Sequence, residues 1–343
     1  MKILICQLRN HGDIIRAFPL IEALKETYDG CEVDFTCLDT MVETCIVCDV
    51  IDAVVPQPRL ETITNSLNNS RVCDVSILEA VVSAIRLKEY DVYIDLHGIF
   101  QSALIGLLAN IPVRIGRSYH TAKDGAHLMY THICDIESWD INKMERNIMV
   151  AKTYFKKLEF TKINNLKWHM HNTIAILPGS SEIGILKRWH LKKYIELANQ
   201  LSQNYKVLFI LGPEEVDIKK SLAKYSYENI FVSSFQAYKD LFSRCRGVIG
   251  NDSAALHLSI WQQIPTFMIC GPTKGVINGV WSYAFGATIE KEEKCLACNV
   301  WSGQCKHQFE CLETLEVRTV YQVIIDMLGA GNEKTDGLSK NKF

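Results

Sequence analysis

The sequence predicts an α/β chain of two strand-first halves, each a parallel sheet wrapped by helices. Short apolar runs of strand length alternate with helix-length apolar periodicities along both halves, the pattern of βαβ units. In addition, two strand–turn–helix segments, one near each end of the chain, place an acid in the turn: Arg9-Asn10-His11-Gly12-Asp13 after the run 2–8, and Asp252-Ser253 after the run ending Val248-Ile249-Gly250-Asn251. In open parallel sheets the carboxyl edge of the strands is where ligands bind.

In the first half, strands are expected at 2–8, 32–38, 52–56, 91–96 and 112–116, and helices at 17–28, 77–89 and 99–109. The first helix follows from Phe18, Ile21, Leu24 and Tyr28 at helical spacing. Residues 57–75 are polar and read as a loop; 117–140 lack periodicity and read as a surface loop over a site. A helix follows over 143–158. The polar, basic stretch 160–172 separates an N-terminal domain, 1–160, from a C-terminal one, 173–313. The second domain runs strand 173–177, helix 190–204, strand 206–211, helix 214–225, strand 229–233, helix 235–245, strand 247–250, helix 253–262 and strand 265–270. A terminal helix is expected over 314–328 and a disordered tail over 329–343.

The 343 residues suffice for two ordinary α/β domains, and 48% hydrophobic content supplies their cores. A net charge of −2 gives no global basic character, so nucleic acid is not an expected partner. No apolar run reaches the ~18 residues of a membrane span. Met1 leads directly into a strand, so no secretory signal is expected, and the 13 cysteines are read as reduced, most of them as small hydrophobes inside apolar elements.

Read from chemistry alone, the Asp252–His257 segment delivers an acid, a hydroxyl and the N–H groups of a helix start to one spot, with small Ala254 and Ala255 allowing close approach of a ligand. That suits a phosphate, although Asp252 or Ser253 would equally serve as an ordinary helix cap. Asp13 has the same two readings, a reactive carboxylate beside Gly12 or a cap for the helix 17–28.

Six spaced motifs, each at a strand end, then carry a resemblance. They are His11-Gly12-Asp13, Pro178-Gly179-Ser180, Lys187-Arg188-Trp189, Leu211-Gly212-Pro213-Glu214, Asp252-Ser253-Ala254-Ala255-Leu256-His257 and Gly271-Pro272-Thr273. In this order they resemble the bacterial heptosyltransferases, the ADP-heptose:lipopolysaccharide transferases of glycosyltransferase family 9, over residues 1–328. Leu211 and Ala254 stand where many members have glycine, and neither change removes a reactive group.

The resemblance implies a GT-B fold, two Rossmann-like doubly wound domains facing across a cleft. It also implies an inverting transfer of heptose from ADP-heptose to a lipopolysaccharide core or other glycan, with no cofactor needed for catalysis. On this reading Asp13 is the general base that takes the acceptor hydroxyl proton. Lys187, with Arg188, neutralises the leaving diphosphate. Ser180, Asp252, Ser253, Ala254, Ala255 and His257 hold the donor, with Glu214 towards its nucleoside. Arg9, Asn10, His11, Gly12 and Arg16 line the acceptor side, where an anionic glycolipid fits. The family setting is cytoplasmic, with peripheral contact at the inner membrane as a further expectation.

Cys295, Cys298, Cys305 and Cys311 give Cys-x2-Cys-x6-Cys-x5-Cys, a set suited to a structural zinc or iron, with unliganded thiols, or disulfides formed in the purified protein, as the alternatives. Two other readings stay open: a GT-B transferase using another nucleotide sugar or a protein acceptor, and a non-catalytic, metal-stapled binding protein. A dinucleotide dehydrogenase is disfavoured, because neither half carries Gly-x-Gly-x-x-Gly after its first strand.

Overall fold

The computed structural model describes residues 1–58, 62–64, 71–73, 75–160, 167–291, 298, 305, 307 and 310–333. The chain divides into two compact units, Met1–Phe160 and Thr161–Phe343.

The first unit is built on a six-stranded sheet of β1 (Lys2–Cys6), β2 (Glu32–Leu38), β3 (Ala53–Gln57), β6 (Val92–Asp95), β7 (Val113–Arg117) and β8 (His132–Cys134). Its order is β3-β2-β1-β6-β7-β8 and every pairing is parallel. Between β3 and β6 a separate antiparallel pair forms from β4 (Thr62–Thr64) and β5 (Arg71–Cys73), inside the stretch expected to be loop. The helices are α1 (His11–Ile15), α2 (Phe18–Thr27), α3 (Val42–Cys45), α4 (Val75–Arg86), α5 (Phe100–Leu108) and α6 (Lys143–Lys152).

The second unit repeats the plan. Its strands are β9 (Thr173–Leu177), β10 (Lys206–Leu211), β11 (Glu228–Phe231), β12 (Gly247–Asn251), β13 (Thr266–Ile269) and β14 (Gly286–Ile289), ordered β11-β10-β9-β12-β13-β14 and all parallel. Its helices are α7 (Leu191–Leu201), α8 (Val216–Leu222), α9 (Phe235–Phe242), α10 (Ala254–Trp261), α11 (Gly275–Asn278), α12 (Glu310–Glu313) and α13 (Val317–Glu333). No described helix is long and apolar enough to cross a membrane.

Counted within each unit, both sheets run 3-2-1-4-5-6, the Rossmann order, so the doubly wound fold class read from the sequence is observed in both. That order reverses between β1 and β6 in one unit and between β9 and β12 in the other. In open sheets of this order, ligands bind beyond the carboxyl ends of the strands at such a reversal. The central strands are apolar on both faces because helices cover both; Ile3, Leu4 and Ile5 are fully buried, as are Ile174, Ala175 and Ile176. In the second unit Phe209, Leu211, Phe267 and Ile269 share one core with Val320 and Ile324 of α13, which packs beside α7.

Besides the β4–β5 pair, three expectations are corrected. The aperiodic stretch 117–140 contributes β8, a three-residue edge strand too short to show a pattern. The second sheet gains a sixth strand, β14, whose Gly-Ala-Thr-Ile sequence carries little apolar signal. The terminal helix does not stop at 328: α13 runs through Gly329 and Gly331 to Glu333, because a packed helix tolerates glycine at a cost of about 1 kcal/mol each.

Candidate functional site

In the first unit the turn after β1 is tighter than its sequence suggests. The backbone enters α1 through Asn10, whose φ of 71° is rare for a residue with a side chain, and Asp13 lies inside α1. The cap of α2 is Ala17, so the reading of Asp13 as a cap for that helix is replaced. Its carboxylate is instead a hub. Oδ1 accepts from Arg16 Nη1 at 2.7 Å and from Lys143 Nζ at 2.8 Å, and Oδ2 accepts from Asn10 Nδ2 at 3.1 Å. The Asp13 side chain keeps 20% of its surface open. Burial pushes its pKa up, but Lys143 and Arg16 outweigh that and hold it well below the usual carboxylate range. Lys143 is itself pulled down to about 8, by burial first and by Arg16 second.

The other residues expected on this side are placed differently from one another. Arg9 and Asn10 are exposed and Gly12 is half-buried. His11 turns its Nδ1 to Thr44 Oγ1 at 2.6 Å, a contact with α3, and burial lowers its pKa. Arg16 is buried and engaged with Asp13.

Residues that sequence reasoning passed over complete this edge. Asp95, the last residue of β6, is fully buried and accepts four hydrogen bonds, from the N–H groups of His97 and Gly98 and the hydroxyls of Ser102 and Tyr130. Gly98 has φ 68°, and a Cβ there would meet the Arg117 guanidinium, which crosses to donate to the His97 carbonyl at 2.9 Å. His97, 3.0 Å from Gln7 Nε2, is pulled down to about 4 by burial and by Arg9. An acid at the end of a predicted strand, 91–96, was the available signal for this edge.

In the second unit the expected residues converge on the ends of β9 and β12. Asp252 Oδ2 accepts from Lys187 Nζ at 3.1 Å and Thr273 Oγ1 at 2.9 Å; Oδ1 lies 3.2 Å from His257 Nε2. Asp252, His257 and Thr273 are buried, whereas Lys187 keeps 19% of its side-chain surface. Arg188 reaches back to Ser180, its Nε 3.1 Å from Oγ and its Nη2 on the carbonyl. Ser253 occupies the cap position of α10 but makes no capping bond, and Ala254 and Ala255 form the first turn.

Two unforeseen residues hold this arrangement. Asn251 is fully buried and saturated: Oδ1 accepts from Trp189 N at 2.8 Å and Tyr194 OH at 2.9 Å, while Nδ2 donates to the carbonyls of Pro178 and Gly179. It staples the end of β12 to the end of β9 and to the segment carrying Lys187. Glu215 is the second. The expected Glu214 is exposed, whereas Glu215 folds back to accept from Gly212 N at 3.0 Å and lies against Gly179, where a Cβ would collide with its carboxylate. Burial raises the Glu215 pKa.

Of the cysteine set, Cys295 lies outside the described residues. Cys298 is exposed, Cys305 half-exposed and Cys311 buried on α12. Among the described residues no three His, Cys, Asp or Glu side chains gather into a metal-sized group.

The unit-two geometry can hold a phosphorylated ligand. A lysine fixed by a buried acid stands beside an uncapped helix start, and the neighbouring residues are small. The unit-one geometry can hold an ionised carboxylate among donors and cations.

The family model described as Glycosyltransferase family 9 (heptosyltransferase) matches residues 79–308. The chain is 19% identical over 299 residues to lipopolysaccharide heptosyltransferase 3 of Escherichia coli, covering 80% of this chain and 85% of that one. Among solved structures it is similar to E. coli ADP-heptose lps heptosyltransferase II, with a TM-score of 0.71, 17% identity, and 97% and 100% of the two chains covered. It is likewise similar to E. coli heptosyltransferase WaaC with ADP, with a TM-score of 0.69, 18% identity, and 95% and 99% covered. WaaC has also been solved with ADP-2-deoxy-2-fluoro heptose.

Proposed function

The chain belongs to glycosyltransferase family 9, the heptosyltransferases, and has the GT-B fold of two Rossmann-like units; on that premise we propose that it transfers a heptose from ADP-heptose to a lipopolysaccharide core or a related glycan, with inversion. The observation that carries the reading is the Lys187–Asp252–His257 chain at the switch point of the second sheet. Asp252 is held by Thr273 and His257, so Lys187 is presented at a fixed place, and its charge can be shared with a diphosphate. The bound forms of WaaC, with ADP and with an ADP-heptose analogue, support an adenine nucleotide sugar as donor.

The reaction is a single displacement. The acceptor oxygen forms a bond to the anomeric carbon as the bond from that carbon to the phosphate oxygen breaks, and ADP leaves with the electron pair. Lys187 and Arg188 oppose the charge that grows on the diphosphate, where a fixed cation lowers the barrier most. Asp13 accepts the hydroxyl proton. It is ionised throughout the neutral range, held in one orientation by three donors, and needs no proton removed before it can act.

Titration calorimetry of the purified chain with ADP, ADP-heptose and UDP-glucose tests the donor. Tighter binding of ADP-heptose than of UDP-glucose, lost on Asp252→Ala, is the expected result. A preference for the uridine sugar overturns the donor assignment, and absence of any binding overturns the transferase reading.

A further inference from the structure

Four cysteines of the first unit lie close together: Cys6 at the end of β1, Cys37 near the end of β2, Cys45 at the end of α3 and Cys48 just after it. All four are buried, and none has a part in the transfer described above. Two of them touch. The Sγ atoms of Cys37 and Cys45 lie 3.4 Å apart, although the residues are eight positions apart in the chain. One thiol donates to the other, and that bond, with burial second, raises the Cys45 pKa far above the usual thiol value. In the closed protein Cys45 is therefore a thiol and a poor nucleophile.

The two thiols differ in what holds them. Cys37 belongs to β2, which is hydrogen-bonded to β1 on one side and β3 on the other. Cys45 closes α3, a helix of four residues beside the exposed Ile46. The bonds that tie this segment, from Ile46 N to the Val42 carbonyl at 3.2 Å and from Cys48 N to the Cys45 carbonyl at 3.1 Å, stand at the long end of the ordinary range. A short surface helix opens locally at little cost, and its opening uncovers Cys45 to a small oxidant. Its closing returns Cys45 to Cys37. A disulfide holds its sulfurs ~2.05 Å apart, so the contact shortens by about 1.4 Å. Folding has already closed the loop between the pair, which favours the cross-link once an oxidant arrives. The position matters for the site, because Thr44, next to Cys45, is bonded at 2.6 Å to His11 of α1, the helix that carries Asp13.

We propose that Cys37 and Cys45 are an oxidation site for hydrogen peroxide, which joins them in a reversible disulfide that clamps α3 to β2. The site stands independently of the donor and acceptor assignments. When α3 opens, the Cys45 sulfur attacks one peroxide oxygen. An S–O bond forms, the O–O bond breaks, and the departing hydroxide takes up the proton that the thiol gave, leaving a sulfenic acid and water. On reclosure the Cys37 sulfur attacks the sulfenic sulfur. The S–S bond forms, the S–O bond breaks, and the hydroxide leaves as a second water with the Cys37 proton. Two thiols thus lose two electrons to one peroxide, giving one disulfide and two waters. Because Cys37 is in contact, the sulfenic acid condenses before it meets further peroxide. Burial makes the bond slow to form, and it also keeps bulky thiols away from the disulfide while α3 is closed. The pair is a latch set by sustained peroxide, not a rapid sensor.

The test treats the full chain, fully reduced beforehand, with hydrogen peroxide, then digests it without reductant and maps the peptides by mass spectrometry. Exposed Cys298 reports that the oxidant acted. A cross-linked peptide pair containing Cys37 and Cys45, absent after dithiothreitol, is the expected result. Cys48→Ser should keep the cross-link and Cys37→Ala should lose it; Cys37→Ser serves if the alanine variant does not fold. Hydrogen exchange then reads the clamp. In the cross-linked protein the amides of Ile46 and Cys48 should exchange roughly tenfold more slowly or better, and in the Cys37 variant peroxide should leave their exchange unchanged. Recovery of Cys37 and Cys45 as free thiols from a sample whose Cys298 is oxidised overturns the site, as does a bond from Cys45 to Cys48 in place of Cys37. Cross-linked protein in which the Ile46 and Cys48 amides exchange as before overturns the clamp.

Discussion

The ammonium of Lys143 stands 2.8 Å from the carboxylate of Asp13, 130 residues earlier in the chain. This contact fixes how the proposed base ionises. Asp13 has a folded pKa below its unfolded value of ~4. The sign follows from that direction. Its pairing adds stability above the unfolded pKa, and the stability is lost as pH falls towards and through the folded value. For the reaction, the acid limb of kcat/KM should lie below the usual carboxylate range, and Lys143→Met should move it up towards that range. A limb that stays in place in a pH-rate profile of the variant would separate Lys143 from the ionisation of the base.

Asp13→Asn removes the proton acceptor but keeps the size of the side chain. The acceptor alcohol is then deprotonated by nothing better than water, and kcat should fall by ~10²–10⁴. Binding of ADP-heptose, measured by calorimetry, should stay near wild type, since Asp13 belongs to the other unit from Lys187 and Asp252. Near wild-type turnover in the Asp13→Asn variant would remove this residue from the chemistry.

Lys187→Ala strips the cation from the Lys187–Asp252 pair. Two effects should combine: weaker donor binding, by roughly tenfold or more for the loss of a charged hydrogen bond, and slower turnover, by ~10²–10³ for the loss of transition-state charge stabilisation. Steady-state kinetics with saturating donor isolates the second. Unchanged Kd and kcat would return Lys187 to a purely structural ion pair.

Asn251→Ala tests the staple. The truncation leaves the Trp189 N–H, the Tyr194 hydroxyl and two carbonyls in a buried place without their partner. At 1–3 kcal/mol for each unsatisfied group, tempered by relaxation, the cost should be ~3 kcal/mol. A denaturant midpoint that barely moves would show that these groups find other partners.

Gly179→Ala and Glu215→Ala should interact. Alanine at 179 drives a Cβ into the Glu215 carboxylate, so the single change should destabilise the second unit; in the double variant the carboxylate is gone and the methyl has room. A double-mutant cycle by thermal unfolding is expected to give a favourable coupling of ~1 kcal/mol or more. Simple additivity would mean that the backbone, rather than Glu215, absorbs the collision.

Much of this was legible in the chain itself. Strand and helix periodicities gave the two halves, because parallel strands buried on both faces read as continuous apolar runs. The turns with Asp13 and Asp252 stood out because glycine, small residues and acids cluster where a strand hands over to a helix. What escaped notice lay at weak local signals: β8 with three residues, β14 with two small ones, and a helix that continued through Gly329.

The sequence by itself determined the fold class, the strand ends at which chemistry gathers, and the family motifs that fill them, since all of these are written in local spacing. The tertiary structure alone decided which charges meet. Lys143 on Asp13, Arg117 on the His97 carbonyl, and Asn251 across Pro178 and Trp189 join segments that local periodicity leaves unrelated. It also chose Glu215 over Glu214 for the position against Gly179. The physical reason is that a charge is defined by its surroundings. Burial and neighbours set whether a carboxylate is a free base or a clamped one, and those surroundings exist only once the sheet has brought distant strand ends side by side.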